Sequence, residues 1–142
     1  MQHVTVRPAQ EHDVDRLADL LQQLGYSVAA DALAARLRHL GDRRAVLVAL
    51  TDGELGGCVS VSVNEHFVDG FEATIEGFVV DERLRSRGVG RELLAAAEGW
   101  ARDRGAPTLI VHSNVVRERA HAFYVSNGYA KVKAQCFFRK PL

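Results

Sequence analysis

Three arginines and two glycines lie close together between an apolar run, Phe78 to Val80, and a long stretch rich in alanine and leucine. From Arg85 to Arg91 the sequence reads RSRGVGR. The first amides of a helix attract anions, glycine lets the backbone approach a ligand without a Cβ, and arginine adds charge-assisted hydrogen bonds. We therefore predict that the turn from Ser86 to Arg91 holds a pyrophosphate group. Leu93 replaces the third glycine of a G-x-G-x-x-G fingerprint, and no Gly-Lys-Ser/Thr is present, so a dinucleotide-binding fold and a P-loop do not fit.

The elements that position this turn can be predicted from hydrophobic periodicity. A strand ends at Pro8, and two helices follow, one after Asp13 and one over Val28 to Leu40 with Ser27 as its cap. The strands RAVLVAL and LGGCVSVSVNE are joined by an Asp52-Gly53 hairpin turn. The remaining elements are, in order, the strand EATIEGFVV, the long helix after the glycines, the strand TLIVHS, the short helix RERAHAFYVSNGY and a final strand AKVKAQCFFRK.

The resulting order, β-α-α-β-β-β-α-β-α-β, predicts an α/β (α+β) fold with a mixed, mostly antiparallel central sheet and helices on both faces. The 142 residues, of which 47% are hydrophobic, suit a single domain over 1–142. Lys plus Arg and Asp plus Glu number 18 each, and this balance argues against a nucleic-acid binder. Neither a leader nor a membrane-length apolar run is evident, so we expect a cytoplasmic protein without a membrane partner. The distant Cys58 and Cys136 are expected to be buried thiols in strands, with no disulfide and no metal site.

From about Thr74 to Gly128 the sequence resembles the GNAT family of N-acetyltransferases. Arg85 to Gly90 matches the family motif Q/R-x-x-G-x-G/A, and RERAHAFYVSNGY matches its second recognisable segment. The resemblance implies a GNAT-like fold and acetyl-CoA as the acetyl donor. It also implies that the backbone of Phe78 to Val80 pairs with the pantetheine arm like an added strand. The cofactor-binding residues implied in this way are Phe78, Val79, Val80, Arg85, Ser86, Arg87, Gly88, Val89, Gly90, Arg91, Asn114 and Arg117.

Acetyl transfer to an amine requires a base for the amine, stabilisation of an oxyanion, and a proton for the leaving thiolate. The resemblance implies that Tyr124 is the general acid, since the family often has a tyrosine at this place in AFYVSNGY; the alternative is a packing residue on a short helix. Glu76 is the candidate base, and strand periodicity predicts that it shares a face with Phe78. Glu76 could equally be a solvated or ion-paired carboxylate, and His112 is a second candidate. Many relatives have an asparagine where Arg117 stands, so the contact expected of Arg117 departs from the family pattern.

Four carboxylates in NEHFVDGFEATIE, those of Glu65, Asp69, Glu72 and Glu76, would attract a cationic amine, although a solvated acidic loop is an alternative. Tyr26 could line the same pocket. AHAFYVSNGY and the ending FFRKPL resemble relatives that acetylate aminoglycosides and small amines.

These observations predict an acetyl-CoA-dependent N-acetyltransferase for a primary amine of a small cationic metabolite or aminoglycoside-like compound. Two alternatives stay open: a protein N-terminal or lysine acetyltransferase, and a non-catalytic acyl-CoA-binding regulatory domain. The expected partners are acetyl-CoA and the amine acceptor, with a homodimer as a further expectation because sheet edges need cover.

Overall fold

A computed structural model describes residues 3–142 of the chain, which divides into two compact units, Met1–Val111 and His112–Leu142. Among the described residues, the first unit contains five strands and three α-helices, and the second contains one α-helix. In chain order the elements are β1 (Val4–Pro8), α1 (Val14–Gln23), α2 (Ala30–Arg38), β2 (Arg44–Thr51), β3 (Glu54–His66), β4 (Gly70–Val80), α3 (Val89–Asp103), β5 (Leu109–Val111) and α4 (Glu118–Ser126). Among residues 3–142, no helix is long and apolar enough to cross a membrane.

The five strands form one sheet in the order β1-β2-β3-β4-β5. The first four strands pair antiparallel, and β5 pairs parallel with β4 through Ala73–Ile75 and Leu109–Val111. Asp52 and Gly53 both have positive φ, 52° and 79°, as the predicted hairpin turn between β2 and β3 requires. The mixed, mostly antiparallel sheet is therefore confirmed.

Helices cover both faces of this sheet. Leu17 and Leu20 of α1 pack with Val48, Cys58 and Val79, and Leu33 of α2 packs against the same cluster. On the opposite face Ala101 of α3 packs with Val63 and Ala73. Gly57 of β3 allows α3 to approach closely, because a Cβ there would lie 2.9 Å from a methyl of Leu93.

A β-bulge interrupts β4 at Glu76. Ile75 pairs with Val61 and Gly77 pairs with Ser60, which leaves Glu76 as an extra residue. Phe78 then pairs with Val59, so Phe78 lies on the same face as Ile75. Glu76 follows Ile75 directly and points to the opposite face. The expectation that Glu76 and Phe78 share a face is therefore wrong, because the bulge shifts the strand's alternation by one residue.

Three further expectations need correction. Residues 130–142, all of them described, contain no strand, so the predicted final strand AKVKAQCFFRK is absent from the single chain. Cys136 in this segment is exposed, whereas Cys58 is buried in β3, where burial raises the pKa of its thiol to about 12. The helix predicted for Val28 to Leu40 is shorter, Ala30–Arg38, and Ala29 rather than Ser27 is its N-cap residue.

Candidate active site

The turn before α3 presents backbone amides rather than side chains. Gly88 is the N-cap residue and has a left-handed φ of 85°, and no side chain of the described residues caps the helix. The amide of Glu92 makes the first bond of this helix, to the carbonyl of Gly88 at 3.1 Å. The amides of Val89, Gly90 and Arg91 precede that bond and have no acceptor within the helix. The helix therefore starts with three amide donors available for an anion.

The arginines of this turn add positive charge that the protein does not neutralise. Arg85, Arg87 and Arg91 are all exposed, and within residues 3–142 none of them forms an ion pair. An open cleft of about 360 Å³ lies beside them, and its lining residues are His3, Val4, Arg87, Gly88 and Glu92. An anionic group that enters this cleft meets the Arg87 guanidinium and the start of the helix at Gly88, together with the Glu92 carboxylate on the same wall.

Arg83 has a different role, because it holds the turn in place. Its guanidinium donates to Asp81 at 2.9 Å and to Glu54 at 3.2 Å. Arg16 of α1 also forms an ion pair with Asp81, whose side chain is only 1% exposed. The hydrogen bonds from Arg83, together with that from Arg16, hold the pKa of the Asp81 carboxyl well below its usual range. This buried carboxylate thus ties α1, β3 and the start of the turn together.

The end of β4 extends past its pairing with β5. The last β4–β5 pair is Ile75 with Val111, and β4 continues for five more residues, Glu76 to Val80. On the other side, Phe78, Val79 and Val80 pair with β3. The backbone expected to receive the pantetheine arm therefore lies on the part of β4 that β5 does not reach.

The start of α3 can be compared with what the pyrophosphate of a cofactor such as coenzyme A requires. A pyrophosphate requires donors that are not already satisfied and a backbone that it can approach. The start of α3 offers both, through its amides and through the space beside Gly88, where a Cβ would meet nothing within 4 Å. The residues present fit the group.

A polar strip runs across one face of β2, β3 and β4, beyond the region that α1 covers. The pairing of the three strands brings its members together, because Arg44 lies opposite Ser62 and Ser62 lies opposite Thr74. One guanidinium nitrogen of Arg44 donates to both carboxylate oxygens of Glu76, each at 3.0 Å. The members of the polar strip are Arg44, Ser60, Ser62, Thr74 and Glu76. The alternating serines of VSVSV are the sequence signal for this strip, but Arg44 carries no signal of its own.

The acidic residues predicted to attract the acceptor divide between the faces of the sheet. Glu72 pairs with Asn64 and lies on the face of the polar strip, where its carboxylate is 3.7 Å from His66. Glu65 pairs with Phe71 and lies on the α3 face. Asp69 is exposed in the hairpin turn, and Tyr26 is exposed after α1. Only Glu72 and Glu76 therefore belong to one surface.

The second unit contains Tyr124 on α4. Its side chain is buried, and its ring makes edge contacts with Phe123 and Tyr129 at centroid distances of 5.5 and 5.9 Å. Burial raises the pKa of the Tyr124 phenol, and the nearby charge of Arg117 opposes this shift. The phenol therefore keeps its proton at neutral pH, as a general acid must.

Asn114 and Arg117 lie at the start of α4. The side-chain oxygen of Asn114 accepts from the amide of Val116 at 3.1 Å, and its carbonyl accepts from the amide of Arg117 at 3.0 Å. A ring nitrogen of His121 lies 2.9 Å from the same carbonyl. Asn114 thus shapes the entry to α4, and His112 is exposed just before it.

Comparison with known proteins agrees with this geometry. The family model described as Acetyltransferase (GNAT) family matches residues 13–129. An aminoglycoside N(6')-acetyltransferase type 1 of Stenotrophomonas maltophilia is 33% identical over 144 residues, which cover 97% of this chain and 94% of the relative. An aminoalkylphosphonate N-acetyltransferase of Salmonella typhimurium is 32% identical over 130 residues, covering 87% of this chain and 83% of that protein. The chain belongs to the GNAT acetyltransferase family.

A solved structure shows the same fold. It is that of AAC(6')-Iy in complex with the bisubstrate analogue CoA-S-monomethyl-acetylneamine, with a TM-score of 0.86, 23% identity and 99% of each chain covered. The predicted GNAT-like fold is confirmed. The family and the curated relatives confirm the predicted enzyme class, an N-acetyltransferase that uses acetyl-CoA to acetylate an amino group.

Proposed function

We propose that this enzyme acetylates a primary amine of a small cationic, aminoglycoside-like compound, with Tyr124 as general acid and Glu76 as general base. The part of the proposal that concerns acetyl-CoA binding rests on the start of α3. There, Gly88 has positive φ, three amides lack acceptors within the helix, and the three exposed arginines form no ion pair with residues 3–142. When bound, acetyl-CoA supplies an activated acetyl thioester.

The polar strip supports the acceptor half of the proposal. Ser60, Ser62 and Thr74 offer hydroxyl groups, and Glu76 offers a carboxylate, a combination that suits an acceptor with both hydroxyl and amino groups. The ion pair between Arg44 and Glu76 is partly exposed, with side-chain exposures of 55% and 35%. Exposed ion pairs of this kind contribute about 0–1 kcal/mol to the free energy of unfolding. An incoming cationic amine can therefore compete with Arg44 for the carboxylate of Glu76.

The two proton transfers of the reaction are assigned to Glu76 and Tyr124. Glu76 accepts a proton from the amine as its nitrogen bonds to the acetyl carbon, directly or through one water. Tyr124 donates its phenolic proton to the departing sulfur as the carbon–sulfur bond breaks, and the raised pKa of the buried phenol keeps that proton available.

A small amine that also carries an anionic group is the second candidate acceptor. The aminoalkylphosphonate N-acetyltransferase of Salmonella typhimurium favours it, since that relative matches 87% of the chain. Arg44 on the polar strip provides a cation for such a group, because guanidinium binds phosphonate-like oxygens in a bidentate manner. An anionic acceptor needs the charge of Arg44, whereas a cationic acceptor does not. A substitution at Arg44 therefore distinguishes the two candidates.

The experiment is a thiol-release assay with acetyl-CoA and four acceptors: an aminoglycoside, a polyamine, an aminoalkylphosphonate and a lysine peptide. We expect amine-dependent, saturable release with the aminoglycoside, and a product heavier by one acetyl group. Arg44→Gln should spare this activity if the acceptor is cationic and abolish it if the acceptor is a phosphonate. Activity with the peptide alone would favour a protein acetyltransferase. Binding of acetyl-CoA without release with any acceptor would favour a non-catalytic acyl-CoA-binding domain.

A further inference from the structure

A short segment from Asp81 to Arg85, which we call the link, joins two parts of the cofactor site. It follows Val80, the last residue of β4, and precedes the turn from Ser86 to Arg91. The pantetheine arm and the pyrophosphate belong to one molecule, so the two backbones expected to receive them must keep a fixed separation. Binding geometry of this kind has to be held to within about 0.5 Å by the surrounding residues. The residues that hold the link therefore bear on the binding of acetyl-CoA.

The turn after the link has a backbone conformation that needs support from its surroundings. Ser86 has a φ of 66° and Gly88 has a φ of 85°, both in the left-handed region. A residue with a Cβ stays in this region only where the surrounding structure imposes it. The side chains of Arg85, Ser86 and Arg87 are exposed and do not pack against the core. The restraint on the turn therefore comes from the link before it and from α3 after it.

The strand β3 fixes the link through its backbone and its first residues. The amide of Asp81 donates to the carbonyl of Gly56 at 2.8 Å. The side chain of Leu84 lies against Gly56, where a Cβ would overlap it. Arg83 reaches back to Glu54 at 3.2 Å. These contacts attach the link to the sheet along its length.

Helix α1 holds the same link through two of its side chains. Arg16 forms an ion pair with the buried carboxylate of Asp81, and its Nε donates to the carbonyl of Leu55 at 3.0 Å. The side-chain oxygen of Gln23 accepts from the amide of Glu82 at 3.1 Å. Arg16 and Gln23 are two helical turns apart, a separation of about 10 Å along the axis on nearly the same face. Contacts from two points this far apart restrain both the position and the orientation of the link.

We propose that Arg16 and Gln23 are positioning residues for acetyl-CoA. They hold the link so that the start of α3 receives the pyrophosphate while the end of β4 receives the pantetheine arm. The proposal rests on the placement of the pyrophosphate at the start of α3 in the proposed function. It gives α1 a part in binding the acetyl donor, although α1 contains none of the residues expected to touch that donor.

Arg7 provides a matched control for Arg16. Arg7 pairs with the buried carboxylate of Asp13 at 2.8 Å, and the side chains of Arg7 and Arg16 are 31% and 28% exposed. Asp13 directly precedes α1, so loss of this ion pair leaves both contacts between α1 and the link in place. Arg7→Leu and Arg16→Leu should therefore lower the thermal stability to a similar degree, and only Arg16→Leu should weaken the binding of acetyl-CoA.

The test combines thermal unfolding with calorimetric titration of the full-length variants and the wild type with acetyl-CoA. We expect the dissociation constant to rise by about tenfold or more in Arg16→Leu and to be unchanged in Arg7→Leu. Arg16→Lys keeps a positive charge beside Asp81 and should recover part of the affinity. Unchanged affinity in Arg16→Leu, or an equal loss of affinity in Arg7→Leu, would overturn the proposal.

A second variant, Gln23→Leu, covers the case in which Arg16→Leu fails to fold. Gln23 is exposed, so its substitution removes one hydrogen bond to the link and leaves the core intact. We expect wild-type thermal stability together with a loss of acetyl-CoA affinity smaller than that at Arg16. Wild-type affinity in Gln23→Leu would refute the positioning role of this residue.

Displacement of acetyl-CoA from the wild type by inorganic pyrophosphate tests the placement of the pyrophosphate separately. If pyrophosphate does not displace acetyl-CoA, the placement is wrong, and the proposal that rests on it is wrong as well. If pyrophosphate displaces acetyl-CoA but Arg16→Leu and Gln23→Leu bind acetyl-CoA normally, the placement stands and the positioning role of α1 is refuted.

Discussion

The substitution Gly88→Asp places a carboxylate where the account predicts a pyrophosphate. Gly105 provides a matched control at the other end of α3. Gly88 and Gly105 have φ values of 85° and 81°, and a Cβ at either position would meet nothing within 4 Å. Both substitutions therefore impose the same left-handed strain, about 1 kcal/mol for aspartate, without a steric clash.

The two variants should differ both in stability and in affinity for acetyl-CoA, and the less stable variant should be the one that binds more tightly. An added negative charge stabilises the start of a helix and destabilises its end, by roughly 0.5 kcal/mol in each case. Gly105→Asp should thus be the less stable variant, by about 1 kcal/mol. At the start of α3, however, a carboxylate within about 5 Å of each phosphate charge opposes binding by ~3 kcal/mol per charge pair at an effective dielectric constant of about 20. Since about 1.4 kcal/mol is tenfold in affinity, acetyl-CoA should bind Gly88→Asp at least a hundredfold more weakly.

The assay combines thermal unfolding with calorimetric titration of both variants and the wild type. We expect that the less stable variant, Gly105→Asp, retains wild-type affinity for acetyl-CoA and that Gly88→Asp loses it. Equal affinities in the two variants would refute the assignment of the pyrophosphate to the start of α3. A parallel loss of stability and affinity would indicate that folding, and not charge at the turn, determines binding.

Three other substitutions test the remaining parts of the account. Tyr124→Phe should lower kcat by about 10²-fold or more while acetyl-CoA affinity is unchanged, and an unaltered kcat would remove the acid role. Glu76→Gln should lower kcat in steady-state assays by a similar factor of about 10², and wild-type turnover would assign Glu76 to its ion pair with Arg44 alone. Asp81→Asn should lower the free energy of unfolding at neutral pH by about 2 kcal/mol, because it leaves Arg16 and Arg83 with a neutral partner. The pKa of Asp81 is depressed in the folded state, so its contribution is present above the unfolded pKa of about 3.9 and is lost as the pH falls below that value. Urea unfolding of Asp81→Asn should accordingly show a weaker pH dependence in this acid range, and an unchanged one would contradict the assigned role.

Local sequence signals predict the elements that depend on local chemistry. The start of α3 is an example, because Gly88 supplies a positive φ and Val89 begins the buried stripe of the helix. The turn at Asp52-Gly53 is another, since both residues adopt the left-handed region that this hairpin requires. Neither feature depends on a distant partner, so composition and spacing are sufficient to locate them.

Features that depend on a partner strand are not readable from the sequence. The bulge at Glu76 exists only in the register between β3 and β4, and it places Phe78 on the face opposite to Glu76. Arg44 is separated from Glu76 by 32 positions, and their contact follows from the same register. Arg83 resembles its neighbouring arginines in the sequence, but the buried carboxylate of Asp81 gives it a structural role. The predicted strand at 130–140 fails for the same reason, since alternation describes a strand's faces but does not supply an edge to pair with.

The most direct test of the central claim is a calorimetric titration of the wild-type protein with acetyl-CoA. We expect saturable binding in the micromolar range. Inorganic pyrophosphate should weaken it, because both ligands use the amides of Val89, Gly90 and Arg91 and the arginines around them. No detectable heat at several temperatures, with a folded sample, would contradict the account: the glycine–arginine turn would then connect β4 to α3 without holding a cofactor.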